Sequence, residues 1–390
     1  MKARISLRLS PIIGLMILPI VLLMIVPVGG LQENAPAASA RNSESIGFVP
    51  HAIAVGDFNS DGAPDIAVPA AAERKVTVLL GDGKGGVAAN HSYPTGMGPG
   101  WVEIGDWNGD GKLDMVTANT GAGSLTFYFG DGKGNFAGAR EVSGIHGPAS
   151  AVAIDANRDQ KIDLAVVQAR ESRVTILENL GGDFKASRSY KLNRAPHIVT
   201  KADLNGDGMA DLVIGSFAKH VLSVLLGKGD GSFHEPREFP VGRFPHYAAV
   251  GDWNRDGLQD LAVACAGEDA VYVFQGDGTG ALRKTGTLPT GANPHGLAAA
   301  DLNGDGFMDL IVSTRSSAEL AVFLGDEKGN FIALAPMRTR QDIIALAPAD
   351  FDRDGKIDLA LVSASHHSVV MLKGDGKGGF SSFSPRPGTK

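Results

Sequence analysis

One nine-residue acidic loop recurs seven times along the chain, and this repeat decides what the chain can fold into. The copies read DFNSDGAPD (57–65), DWNGDGKLD (106–114), DANRDQKID (155–163), DLNGDGMAD (203–211), DWNRDGLQD (252–260), DLNGDGFMD (301–309) and DFDRDGKID (350–358), with first aspartates 48 or 49 residues apart. A glycine-rich turn follows each loop at a nearly constant interval, as in GDGKGNF (130–136), GKGDGSF (227–233) and GDGKGGF (374–380). Glycine fills 52 of 390 positions, yet 43% of the chain is hydrophobic. That is too apolar for a disordered tract, so the glycines serve turns.

Within the first unit the pattern reads as four short strands, Ala52–Gly56, Asp65–Pro69, Lys75–Gly81 and Val87–Tyr93, and no segment reads as a helix. Runs such as VTVLL (76–80), LTFYF (125–129), LSVLL (222–226) and VYVFQ (271–275) carry the β-branched and aromatic residues of middle strands. Seven such units predict an all-β fold, a seven-bladed β-propeller with four antiparallel strands per blade. Ring closure removes the open sheet edges that a row of blades would leave. The first strand of each unit is rich in small residues, among them Ala52, Ala54, Ala248, Ala249 and Ala298 to Ala300. This fits the crowded innermost strand. Glu103 and Lys201 interrupt it in units 2 and 4 and are expected to face a water-filled channel. The last unit ends at Phe380 to Phe383 before Pro385 and Pro387, which cannot donate to a ladder. Residues Arg41 to Val49 are therefore expected to complete its outer strand.

The first 40 residues differ. Lys2, Arg4 and Arg8 precede an apolar run from Ile12 to Val28, and small residues follow at 35–40. This predicts an export signal with a linker over 1–40, an uncleaved membrane anchor being the alternative, and a propeller over 41–390. The location expected is extracellular, cell-surface or periplasmic. A single cysteine, Cys265, excludes an intramolecular disulfide, and its apolar strand setting predicts a buried thiol. A net charge of -7 gives no sign of a nucleic-acid partner.

Asp or Asn at loop positions 1, 3, 5 and 9 sets hard oxygen donors around one point, a set suited to calcium, with the position-7 carbonyl as a further ligand. The candidate ligands are Asp57, Asn59, Asp61, Ala63 and Asp65 in the first loop and Asp106, Asn108, Asp110, Lys112 and Asp114 in the second. Asp155, Asn157, Asp159, Lys161 and Asp163 follow in the third, then Asp203, Asn205, Asp207, Met209 and Asp211 in the fourth. The fifth offers Asp252, Asn254, Asp256, Leu258 and Asp260, and the sixth Asp301, Asn303, Asp305, Phe307 and Asp309. The seventh offers Asp350, Asp352, Asp354, Lys356 and Asp358. Up to seven Ca²⁺ ions are expected, in a mainly structural role. An EF-hand is excluded because position 12 holds Val68, Thr117, Val166, Ile214, Val263, Val312 and Leu361 where that motif needs Glu. Glycine at position 6 lets the ligands converge, and only unit 3 lacks it, having Gln160; that site is expected to be the weakest. Asp352 gives the seventh loop a fourth carboxylate, which predicts the tightest site.

On these loops the chain resembles the FG-GAP and VCBS repeat family, whose β-propellers include the head of integrin α subunits. The resemblance covers about residues 46 to 384 and implies calcium in the loop between the first two strands of a blade. The integrin-type FG and GAP signatures are absent from their usual places, and the acidic loop occurs in every unit, which is closer to bacterial exported relatives.

Pro-His pairs precede the first strand at His51, His197, His246 and His295, six residues before each loop and so at the opposite channel mouth. Trp101 and Tyr247 break the repeat nearby, where other units hold Ala52, Ser150, Ile198, Gly296 and Ala345. His197, His246, His295, Trp101 and Tyr247 are thus candidate ligand-binding residues at that mouth, against the alternative that they pack on neighbouring blades. Trp107 and Trp253, at loop position 2, read as packing residues. No nucleophile triad or phosphate loop stands out, so the expectation is a monomeric binding or adhesion module for an extracellular protein or glycan. The alternative is a polysaccharide-acting enzyme or lectin with its site at the channel mouth.

Overall fold

A computed structural model describes residues 43–47 and 50–383; the signal, anchor and linker readings for residues 1–40 fall outside them. The chain divides into Met1–Ala35 and Pro36–Lys390, and all described residues belong to the second unit. They form a seven-bladed β-propeller with four antiparallel strands per blade, in sequence order from the axis outward except at the outer edge of blade 7, and with the outer strand in two pieces in blades 6 and 7. In blade 1 the strands are Ala54–Gly56, Asp65–Ala70, Lys75–Gly81 and Val87–Pro94, within two residues of the bounds expected from sequence.

The burial pattern explains the composition of each strand. The second strands, such as Asp65–Ala70 and Asp309–Thr314, are buried at every position because a neighbouring blade covers each face. The outer strand Val87–Pro94 alternates half-buried and exposed residues, as one solvated face requires. The core is divided into seven apolar clusters, each shared by two successive blades. Trp107 and Trp253 lie in two of these clusters, 0% and 3% exposed, as packing residues. Cys265 is buried in a third, and burial pushes its thiol up to about 12.

Closure uses both ends of the described chain. Ser43–Ser45 pairs with Ser368–Val370, and Phe380–Ser382 pairs with Leu372–Gly374, so two short segments share the outer edge of blade 7. Ile46, 0% exposed, packs between blades 7 and 1, and its carbonyl accepts the Thr77 hydroxyl at 3.1 Å. Blade 6 also has a divided outer strand, Phe331–Ala333 and Met337–Arg338, both on Glu319–Gly325.

Candidate metal loops and the two channel mouths

The acidic loop joins the innermost strand of a blade to the second, so all seven loops lie on one face of the ring. Backbone N–H groups fix the carboxylates. The position-1 carboxylate accepts from the position-6 N–H in every loop, at 2.8–3.1 Å. The position-5 carboxylate accepts from the position-7 N–H at 2.7–3.0 Å. Position 6 has positive φ throughout, from 76° to 84° at the six glycines and 67° at Gln160. A side chain in that conformation costs roughly 1 to 2 kcal/mol, so Gln160 carries strain that the position-6 glycines avoid.

Position 9 has a role that residue type alone does not reveal. Each of these aspartates is at most 1% exposed and accepts two backbone N–H bonds at 2.7–3.1 Å, one from position 2 and one from the end of the third strand. One carboxylate thus ties loop, second strand and third strand together. Burial lifts Asp65, Asp114, Asp260 and Asp358 to about 6, while the two N–H donors act in the opposite direction. The third-strand donor is glycine in six blades because a Cβ there would lie 2.0–2.4 Å from the position-8 carbonyl oxygen. In blade 3 the residue is Asn179, whose amide instead donates to that carbonyl, Ile162 O, at 3.0 Å.

The donor set fits a hard divalent cation. Oδ1 of Asp155 and of Asp352 is buried without a hydrogen-bond partner among the described residues, an expensive arrangement unless a cation completes it. Asp350, Asp352 and Asp358 bring ligand atoms within 4.8 Å of one another, the one such His, Cys, Asp and Glu cluster among the described residues. Asp354 is not in that cluster; Lys373 Nζ donates to it at 2.7 Å and also to Asp352. The reading of the seventh site as the tightest counted only charge within the loop. Lys373 comes from the third strand of the blade, where blades 1, 4 and 6 hold Leu80, Leu226 and Leu324, and it neutralises the added carboxylate.

Neighbouring loops are linked by arginines at position 4. Arg353 donates to Asp61 O at 2.7 Å and Asp61 Oδ1 at 3.0 Å, joining loop 7 to loop 1. Arg255 donates to Gly306 O and lies 4.1 Å over the Phe307 ring, joining loop 5 to loop 6. The third arginine in this register, Arg158, makes no hydrogen bond or ion pair among the described residues.

At the opposite mouth the structure brings the five ligand candidates together, but as a packed group. His197 stacks on Phe217 with centroids 4.1 Å apart, His246 lies 4.1 Å from His295, and His197 meets His246 edge-on at 5.8 Å. Tyr247 contacts His295 at 6.3 Å and reaches Trp101 at 6.0 Å, although these two aromatics come from blades 5 and 2. His295 Nδ1 is 2.7 Å from Ile344 O of the next blade. Burial lowers His197 and His295 to about 4 and His246 to about 2, with nearby His and Arg315 charges adding to the shift at His246. Deeper in the channel, burial pushes Glu103 up to about 7, partly opposed by Trp101 beside it and the Lys201 ammonium. The Trp101 N–H itself falls short of hydrogen-bond geometry.

The histidine stack makes the fold sensitive to acid. Its folded pKa values lie below the ordinary 6.5, so below pH 6.5 the unfolded chain takes up protons that the folded chain refuses. The stability is therefore present above pH 6.5 and lost as pH falls toward 4. Each histidine is expected to contribute about 2 kcal/mol to the loss between pH 7 and pH 5. Denaturant titrations of His246→Asn and the parent chain at both pH values check this; equal losses in the two proteins would contradict it.

Blades, loops and turns together define a repeat propeller with an acidic hairpin in every blade. FG-GAP-like repeat models match residues 57–117, 106–166, 155–214, 203–263, 252–312 and 302–361, and the chain belongs to this family. No curated protein matches the chain. Among solved structures it is similar to a putative 6-phosphogluconolactonase from Bacteroides fragilis, with 13% identity over 85% of this chain and 93% of that one and a TM-score of 0.60. BBS1N in complex with ARL6DN gives 14% identity, 85% and 93% coverage and a TM-score of 0.61. The periplasmic gluconolactonase of Pseudomonas aeruginosa gives 15%, 73% and 95%, and 0.51. At such identities these likenesses concern the fold alone.

Proposed function

We propose that the protein is an exported calcium-binding propeller that serves as a binding or adhesion module for an extracellular protein or glycan, with calcium as a structural clamp. The observation that carries the calcium reading is the pair of buried, partnerless Asp155 and Asp352 oxygens inside loops whose position-1 carboxylates are fixed by the position-6 N–H. Bound calcium would supply positive charge at that point. The protein's own part is to hold the oxygens converged and to keep position 9 ionised against burial. The basic start and the apolar run from Ile12 to Val28 support export.

Isothermal titration of Ca²⁺ into the chelator-stripped full chain tests this reading. The expected result is six or seven sites, with dissociation constants near ~0.1 mM as in extracellular modules. No heat of binding at millimolar calcium would sink it. The same titration examines Lys373. Lys373→Leu removes a cation that competes for Asp352 and Asp354, and it is expected to tighten the seventh site about tenfold, or ~1.4 kcal/mol. An unchanged isotherm would show that the ammonium does not compete.

A further inference from the structure

Four departures from the sevenfold repeat line one cleft on the loop face. Lys201 stands on an inner strand where the other blades hold Val55, Ile104, Ala153, Val250, Ala299 and Pro348. Gln160 replaces the loop glycine, at φ 67°. Gln259 takes the position-8 site that is Pro, Leu, Ile, Ala or Met elsewhere, and Arg158 is the position-4 arginine that links to no neighbouring loop. All four line a cleft of 730 Å³ across blades 3, 4 and 5, together with Asp155 and Asp203. That volume suits a small molecule.

Each of these four side chains departs from what its counterparts offer. Gln160 keeps the position-6 N–H bond to Asp155 at 3.1 Å while adopting a backbone conformation that glycine reaches without strain. Gln259 Oε1 accepts the Asp203 N–H at 2.6 Å, which fixes the amide in the cleft wall with its NH₂ as a donor. Neither the Arg158 guanidinium nor the Lys201 ammonium has a hydrogen bond or salt bridge among the described residues. Two such cations on one concave surface are an anion-binding arrangement, and Arg matches a carboxylate in a bidentate fashion. The acidic groups lining the cleft, Asp155 and Asp203, are both position-1 calcium candidates, so a loaded ring leaves Arg158 and Lys201 as the cations of the cleft wall, with Glu103, which burial pushes up to about 7, the acid whose charge Lys201 feels.

We propose that this cleft binds a small hydroxyl-bearing carboxylate of the sugar-acid class, with Arg158 and Lys201 on the carboxylate and the Gln160 and Gln259 amides on hydroxyl groups. The proposal rests on the calcium reading in that the metal neutralises Asp155 and Asp203.

The test is calorimetric titration of the full chain in saturating Ca²⁺ with sodium glucuronate, using glucose as the uncharged probe. Glucuronate is expected to bind at least tenfold more tightly than glucose. Arg158→Gln and Lys201→Gln are each expected to weaken glucuronate at least fivefold while leaving the melting temperature within 1 to 2 °C, and Lys84→Gln in a distant turn to leave it unchanged. Equal binding of the two probes, no binding of glucuronate, or variants that bind as the parent does would overturn the proposal. A calcium-dependent melting shift, recorded on the same samples, separates the outcomes. If the shift is present and glucuronate fails to bind, the cleft assignment alone falls; if the shift is absent, the calcium reading falls with it.

Discussion

Removing calcium from the full chain is expected to lower its melting temperature by about 15 °C. At ~1 mM free calcium a site with a dissociation constant near ~0.1 mM stabilises the folded state by about 1.4 kcal/mol. Seven such sites approach ~10 kcal/mol, comparable with the whole stability of an ordinary domain. Spread over a propeller of this size, with an unfolding entropy of roughly 2 cal/mol/K per residue, that sum gives the shift above. The stripped loops also lose their counter-charge: Asp57 and Asp61 share one loop with Asp65, whose carboxyl burial already lifts to about 6. Calorimetric scans in 1 mM calcium and in excess chelator measure the difference, and superimposable scans would refute the clamp.

Asp309→Ala is expected to cost about 3 to 5 kcal/mol even in chelator, because it leaves two buried N–H donors without an acceptor. Those donors are Leu302 N and Gly325 N, each 2.8 Å from the Asp309 carboxylate, which is 0% exposed. Asp305→Ala in the same loop removes an exposed carboxylate that caps the Phe307 N–H, and in chelator it is expected to cost less than about 1 kcal/mol. Once calcium is added both variants lose the metal contribution as well. Urea unfolding of the two variants, with and without calcium, separates the structural part of position 9 from its ligand part. Equal costs in chelator would mean that the buried clamp is not what holds the hairpin.

The strands were legible in the sequence because period and turn chemistry agree in each unit. Lys75–Gly81 has the bounds expected, and the second strands begin at the position-9 aspartate. The closure was legible in outline: Pro385 and Pro387 leave blade 7 short of an outer strand, and Ser43–Ser45 fills part of that edge. Position 9 was legible as an oxygen donor and opaque as a clamp, since its partners lie seven residues before it and sixteen after it. The histidines were placed at the correct mouth, but their stacking on Phe217 and one another depends on the distances between blades, which residue type does not encode. Lys373 escaped notice because it belongs to a strand rather than to the loop it reaches. Lys201 and Gln160 did stand out as departures from the repeat. Arg158 and Gln259 carried the same signal, visible once each register position is compared across all seven units.

Anomalous diffraction from crystals of the full chain grown in 10 mM CaCl₂ tests the central claim most directly. Anomalous peaks are expected between positions 1, 3 and 5 of the loops, including those at Asp57, Asp203 and Asp301, with weaker peaks in the strained Gln160 loop and at Asp350 beside the Lys373 ammonium. Loops without anomalous density under those conditions, while the seven blades remain folded, would contradict the account.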